Sequence, residues 1–342
     1  MSFIKNAWYV AAWSDEVEDQ LFARKILGEH VLLYRQDNGV AVALSDRCPH
    51  RFVALHLGKR HGDVVECAYH GLRFDSSGAC VLNPNSDVIP KAARLRKYPL
   101  VERYSILWIW LGDVEAADDS LIPDFTCMTD GHHATVHGYI HGASSYMLML
   151  DNILDLSHTN YLHADTLGSE ALARVQTQII EHDSYIDVMR WMPNDYQAPL
   201  SASSRGFKDR LADSWIDTRW YCASNFDLVM GMAEPGAPRS EGKVAHSLHL
   251  ITPETEISNH YFWGNARDYR CDDEVLTRQI AVGFASAFTN EDKPILECQQ
   301  EMMGGVDFWS LKPVLLAGDA AAVRIRRRVE LLLEREKNSA KL

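Results

Sequence analysis

The sequence predicts an α+β protein of two domains: a small all-β domain over residues 1–120 and a larger one over residues 121–342, with antiparallel strands and long helices. Three observations predict it. At 342 residues the chain is long for one hydrophobic core, and length favours two. The early part is a series of short apolar, β-branched and aromatic runs bounded by turn residues, and helical periodicity begins only later. Between the two textures lies LIPDFTCMTDGHH, residues 121–133, whose Pro123 and polar turn residues suit a hinge.

Taken in order, HVLLYR (30–35), VAVALSD (40–46) and SILWIWLGD (105–113) read as strands, with Asp37-Asn38-Gly39 and Gly112-Asp113 as turns. Beyond the hinge, ATVHGYIHG reads as a strand. SSYMLMLDNILDLSHTNYLH (144–163) reads as a helix whose nearly continuous apolar surface predicts burial. Strands return in TQIIEHDSYIDVMRWM and TRWYCASNFDLVMGM, and HSLHLI with NHYFWG reads as a hairpin joined by TPETEIS. Two helices close the chain. In the first (272–303), Pro294 removes a backbone donor and predicts a kink near Lys293; the second (320–338) is amphipathic and charge-laced, with a solvated face and a docked apolar stripe.

Apolar residues make up 46% and charged residues 24%, a globular balance that argues against extensive disorder. A net charge of −13, from 34 basic and 47 acidic residues, speaks against nucleic acid as a partner. No run of about eighteen apolar residues occurs and the N-terminus lacks the features of a signal peptide, so the expectation is a cytoplasmic protein with no membrane partner. In that reducing compartment the seven cysteines are not disulfides. Cys80, Cys127, Cys222, Cys271 and Cys298 read as buried small hydrophobes, which leaves Cys48 and Cys67.

Those two sit in Cys48-Pro49-His50 and Cys67-Ala68-Tyr69-His70, with sixteen residues between His50 and Cys67. Two thiolates and two imidazoles on separate turns suit either a zinc ion or a Rieske [2Fe–2S] centre, in which two histidines replace two cysteines on one iron. Zinc fingers pair C-x₂₋₄-C with H-x₃₋₅-H; a C-x-H loop and a C-x-x-H loop, each giving one thiolate and one imidazole, favour the cluster.

A second constellation lies in the apolar 144–163 stretch, where Asp155, His158 and His163 form D-x-x-H-x₄-H. Asp155 and His158 share a helix face. His158 and His163 lie about 140° apart on an ideal helix, so both face one ion only if the helix deforms, and an irregularity is expected near residues 157–161. Two imidazoles need an anionic third donor to make a facial triad for Fe(II) with open positions for dioxygen.

CPHR and CAYHGLRFDSSGAC resemble the cluster loops of bacterial Rieske oxygenases, and D-x-x-H-x₄-H resembles their mononuclear iron site. With NAWYVAAW, VERYSILWIWLGD, IPDF and LITPETE, the likeness covers nearly the whole chain and is nearest the vanillate O-demethylase, dicamba O-demethylase and toluenesulfonate methyl-monooxygenase group. The resemblance implies an N-terminal Rieske domain followed by a helix-grip (START-like) catalytic domain. It implies that Cys48, His50, Cys67 and His70 hold the cluster and that His158, His163 and Asp292 hold Fe(II), with the adjacent Glu291 as the rival to Asp292. It also implies a homotrimer in which Asp155 bridges the partner subunit's His70 to His158, and places Asn152 near the iron; orienting His158 within one subunit is the other task open to Asp155.

The activity implied is that of a terminal oxygenase in a multicomponent NADH-dependent system. It would consume O₂ and insert one oxygen atom into the methyl group of a methoxylated aromatic, leaving a phenol and formaldehyde. N-dealkylation, aryl-methyl oxidation and ring hydroxylation use the same iron, and a Rieske electron carrier with a ligand-binding domain is the reading from another class. With neither a G-x-G-x-x-G fingerprint nor a plant-type four-cysteine motif in the chain, a reductase, with or without a ferredoxin, must supply electrons. His249 matches a substrate-binding position of the family, whereas a strand histidine facing solvent would look the same. Leu228 and Gly283 stand where the dicamba enzyme has a polar anchor and a tryptophan, which implies a roomier, more apolar pocket. Phe284, Phe288, Met230 and Met232 are candidates to line it.

Overall fold

The computed structural model describes residues 3–164 and 167–339, and the chain divides into two compact units, Phe3–Ile122 and Pro123–Leu342. Among its described residues the first holds ten strands: β1 (Trp8–Trp13), β2 (Phe22–Ile26), β3 (Glu29–Arg35), β4 (Ala41–Ser45), β5 (Lys59–His61), β6 (Val64–Glu66), β7 (Arg73–Phe74), β8 (Cys80–Leu82), β9 (Leu100–Arg103) and β10 (Ile106–Trp110). They form three small sheets, β1-β10-β9, β2-β3-β4 and β5-β6-β7-β8. Every residue of β1 and β10 is buried, so neither strand shows the alternation of a half-solvated sheet. A second cluster of apolar side chains, including Leu32, Leu44, Val65 and Phe74, packs around Cys48 and Cys67.

In the second unit a seven-stranded antiparallel sheet is built from β11 (Ala134–Gly142), β12 (Thr177–Glu181), β13 (Tyr185–Asp195), β14 (Ala212–Tyr221), β15 (Asn225–Ala233), β16 (Lys243–Thr255) and β17 (Ser258–Arg267). Five hairpins run from β12 to β17, and β11 then pairs with β17. The β16–β17 hairpin is longer than expected: most of TPETEIS lies within the strands, and Thr255 pairs with Ser258. Gly231 is required where it stands, because a Cβ there would lie 1.9 Å from the Trp215 ring that crosses the sheet.

The helices are α1 (Tyr146–Leu154), α2 (Thr159–Leu162), α3 (Glu170–Arg174), α4 (Pro199–Arg205), α5 (Glu274–Ser286), α6 (Lys293–Met303) and α7 (Ala320–Ser339). The expected 144–163 helix is therefore not one helix. It stops at Asp155, which is extended, and resumes through a 3₁₀ turn, Leu156–His158. Two polar contacts hold the break: the Asp155 carboxylate caps the Ser157 N–H at 3.0 Å, and buried Arg190 donates to the freed Leu154 carbonyl. Aspartate at such a position satisfies a backbone donor that the helix leaves open.

The expected 272–303 helix is also interrupted. Between α5 and α6 lies a π-helical stretch, Ala287–Asp292, closed by the Lys293 N–H reaching back to the Phe288 carbonyl. Pro294 explains the place, since it offers no N–H to the turn before it and the hydrogen-bond register slips just upstream.

α7 is tied to α1 by Arg326, whose guanidinium grips both oxygens of Asp151 and stacks 4.0 Å over Phe308. All seven cysteines are free, but none of the five read as buried hydrophobes is fully buried and Cys298 is exposed. Cys222 and Cys271 lie in turns, and Cys298 on the open face of α6. No helix among the described residues is long and apolar enough to cross a membrane.

Candidate metal centres and substrate cavity

Two loops of the first unit share one construction. In each, the cysteine carbonyl accepts from the residue four positions on, Phe52 or Gly71. Its N–H donates to the carbonyl five positions on, Val53 or Leu72, at 2.8–3.0 Å throughout. Both turning residues have positive φ, +62° at Phe52 and +69° at Gly71, which glycine tolerates freely and phenylalanine does not.

The result is two equivalent tips. Cys48 and Cys67 are buried against the apolar cluster, while His50 and His70 stand outside with ring centroids 4.5 Å apart. Burial, with Cys67 alongside, pushes the Cys48 thiol up to about 11, so the thiolate needs a bound cation to form at neutral pH. Two thiols inside and two imidazoles outside fit a [2Fe–2S] centre of mixed ligation.

In the second unit, the break after α1 turns His158 and His163 toward each other, with ring centroids 5.3 Å apart. The π stretch brings Asp292 between them. Its oxygens lie 3.5 Å from His158 Nε2 and 3.1 Å from His163 Nε2, and one donor atom from each residue falls within 4.8 Å of the others. Glu291 does not face this point; it accepts from His163 Nδ1 at 2.5 Å, behind the ring. His158 Nδ1 likewise donates to the Asp155 carbonyl at 2.6 Å, and Asn152 Nδ2 donates to Asp292 Oδ1 at 3.0 Å.

Each imidazole thus has its Nδ1 engaged from behind and its Nε2 turned toward the Asp292 carboxylate, the outer arrangement metal-binding histidines need. Burial alone would lower the His163 imidazole, but its hydrogen bonds to Asp292 and Glu291 outweigh that and raise it. The site therefore favours positive charge, and two nitrogens with a carboxylate oxygen suit a ferrous ion.

The trio opens on a cavity of about 180 Å³ between sheet and helices. Leu228, Met230, Met232, Gly283, Phe284 and Phe288 all line it. His249 lines it too, buried rather than facing solvent. Its Nδ1 is 2.6 Å from the Tyr261 hydroxyl and its Nε2 is 3.1 Å from Ser247 Oγ, and burial pushes its imidazole down to about 4. It is neutral at neutral pH, with both nitrogens engaged.

Asp155 meets His158 through its backbone carbonyl, and its carboxylate is taken by Ser157. Sequence reasoning named Glu291 only as a rival to Asp292 and missed its place behind His163; it also missed the Asp151–Arg326 clamp on α1 and Arg205 in the cavity wall. An acid and a base far apart in sequence carry no signal of their pairing.

Residues 7–99 match the family model described as Rieske [2Fe-2S] domain, and residues 143–335 match Vanillate O-demethylase oxygenase C-terminal domain. The chain is 38% identical to the oxygenase component of chloroacetanilide N-alkylformylase of Rhizorhabdus wittichii, across 98% of this chain and 97% of that one. It is 36% identical to the oxygenase component of dicamba O-demethylase of Stenotrophomonas maltophilia, across 98% and 99%. A crystal structure of dicamba monooxygenase bound to dicamba superposes with a TM-score of 0.93 at 36% identity, covering 99% of this chain and 100% of that one. With both metal-type centres and the family match in hand, this chain belongs to the Rieske non-haem iron oxygenases, as an oxygenase component of the vanillate and dicamba O-demethylase group.

Proposed function

We propose that this oxygenase removes the methyl group of a methoxylated aromatic as formaldehyde, using dioxygen and electrons passed from NADH by a separate reductase. Cys48, His50, Cys67 and His70 hold the cluster in this reading, and His158, His163 and Asp292 hold the iron. The observation that carries it is the trio of donors opening on a largely apolar cavity. When bound, the ferrous ion supplies the activation of dioxygen that no side chain can.

The chain's own residues supply placement. Glu291 and the Asp155 carbonyl take the Nδ1 protons of His163 and His158, which leaves the Nε2 lone pairs aimed at one point. Asn152 steadies Asp292. Leu228, Phe284 and Phe288 give an aromatic ring an apolar bed and keep water from it, and Gly283 leaves the wall open beside Leu200, whose Cδ2 is 3.6 Å from where a Cβ would stand.

Electron supply adds two elements. A head-to-tail homotrimer brings one subunit's cluster to the next subunit's iron, and Asp155, next to His158, bridges to the partner subunit's His70. An electron-transfer protein docks at the cluster loops.

N-dealkylation is the second reading, because the 38% identical relative is named as an N-alkylformylase. The test feeds matched O-methyl, N-alkyl and aryl-methyl aromatics to the enzyme with a surrogate reductase, following NADH-dependent O₂ uptake and formaldehyde. Methoxylated compounds should give the highest kcat/KM. Turnover confined to N-alkyl or aryl-methyl compounds would replace the O-demethylase reading, and a protein with only two irons per chain would reduce it to an electron carrier.

A further inference from the structure

The wall of the cavity holds a buried cation that the reaction described above does not use. Arg205, at the end of α4, is 3% exposed and lines the cavity. Its Nε donates to the Lys243 carbonyl at 3.2 Å, Nη1 to Ser201 Oγ at 2.7 Å and Nη2 to the Met230 carbonyl at 3.2 Å. The guanidinium also stacks on Tyr269 at 4.8 Å. Every acceptor is neutral. Other arginines find acids, Arg326 with Asp151, Arg219 with Asp187 and Arg24 with Glu16; Arg205 makes no ion pair among the described residues. Arg190 and Arg267 are buried without one as well, but neither lines this cavity.

A buried charge without a counter-ion is costly unless something completes it. A guanidinium has five donors in a planar fork that matches an oxyanion; with a longer bond from Nη1 to the Ser201 carbonyl at 3.5 Å, four of the five have neutral partners, and the second N–H of Nη2 is left for a ligand. Apart from the two histidines of the metal-type trio, the wall's other basic group, His249, is held neutral and has both nitrogens engaged.

Strand register places the two ends of the cavity. Arg205 bonds the carbonyl of Met230, which pairs with Ala245 on β16. His249, which feels the charge of Asp292, lies four residues further along that strand, about 13 Å at the usual rise.

We infer that Arg205 is the receptor for an oxyanion on the substrate, so that the enzyme takes an elongated aromatic acid whose acidic group lies at the end of the molecule remote from the carbon that is oxidised. This rests on the cavity being the substrate site, as proposed above. Leu228, Ser247 and Asn265, paired across β15, β16 and β17, form the wall between the two ends.

The experiment is calorimetric titration of the iron-loaded holoenzyme under nitrogen with two matched pairs: 4-methoxybenzoate against 4-methoxybenzamide, and 4′-methoxybiphenyl-4-carboxylate against its carboxamide. In at least one pair the acid should bind about tenfold or more tighter than the amide, the scale of a charge-assisted hydrogen bond. Arg205→Gln should bring the ratio close to one and Arg205→Lys should restore part of it, with the visible spectrum of the cluster unchanged. Should Arg205→Gln fail to fold, the wild-type ratio and Arg205→Lys decide.

No acid bound better than its amide, or a preference that survives Arg205→Gln, overturns the inference and leaves Arg205 as a clip between α4 and the sheet. Turnover separates the two readings. An acid that binds through Arg205 and releases no formaldehyde removes O-demethylation and keeps the subsite. Equal formaldehyde release from acid and amide by both proteins removes the subsite and keeps O-demethylation.

Discussion

In the first unit, four donors come from two loops of six residues each, closed by the same pair of backbone hydrogen bonds. In the second, three donors come from two interrupted helices, with His163 and Asp292 129 positions apart. The loop site is local: its geometry is set by hairpin backbone and by the apolar cluster behind the cysteines. The helix site is remote, and its geometry depends on where α1 breaks and where the π stretch sets Asp292. A local site should tolerate damage elsewhere, whereas a remote one should register each loss of a positioning contact.

The largest test of that difference is His163→Ala. Turnover should fall by about a thousandfold or more, since the facial triad loses one of its three donors. Iron should drop by about one per chain while acid-labile sulfide and the visible cluster spectrum stay at wild-type levels. Loss of sulfide along with the iron would show that the two sites are not built independently.

A finer separation lies between adjacent acids. Asp292→Asn removes the anionic donor and should abolish mononuclear iron. Glu291→Gln keeps a hydrogen-bond acceptor at the back of His163 but not the charge, and should lower iron affinity about 10- to 100-fold, as loss of an outer partner does elsewhere. Excess ferrous iron should rescue the second variant and not the first. If the two respond alike, the geometric distinction between them fails.

The same contrast explains what was readable. Cys48, His50, Cys67 and His70 stand in two short strings, so spacing alone narrowed the cofactor. His158 and His163 stood out as polar residues in an apolar run, and the need for a helix irregularity followed from their angular separation. The break lies at Asp155–His158, slightly earlier than expected, because Asp155 caps Ser157. Asp292 and Glu291 could not be told apart, since an ideal helix sets neighbours about 100° apart and a π stretch shifts that phase. His249 gave no sign of its burial because β16 is covered on both faces through its middle, which erases the alternation that marks an inward residue. Arg205 was invisible for a different reason: what marks it is that no acid forms an ion pair with it among the described residues, which only three-dimensional neighbours reveal.

His249 carries a pH test. Burial holds its folded pKa near 4 against 6.5 for an ordinary histidine, so between those values the unfolded chain binds a proton that the native one does not. The stability from this neutral imidazole is complete above pH 6.5 and is lost as pH falls toward 4, with a slope of about 1.4 kcal/mol per pH unit. Between pH 6.5 and 5 it contributes a loss of roughly 2 kcal/mol. Urea unfolding of His249→Gln at the two pH values should show a shallower decline than wild type. An identical decline would mean that His249 is not held neutral in the apolar wall, and a steeper one would reverse its sign.

The smallest effect falls inside the loop site. Gly71 and Phe52 occupy equivalent positive-φ positions, yet one has no side chain and the other presents an exposed ring. A methyl at Gly71 would lie 3.2 Å from Pro84 Cγ, and an L-residue in this backbone region costs about 1 kcal/mol or slightly more. Gly71→Ala should therefore lower the thermal midpoint modestly. Phe52→Gly should change it less, because relief of the same strain is offset by the flexibility glycine brings to the unfolded chain. In both variants the cluster content should hold, since the cysteine N–H and carbonyl bonds that close each loop do not involve the altered side chains. A Gly71→Ala protein that folds but loses its sulfide would show that the bound cluster, and not the hairpin backbone, sets the loop geometry.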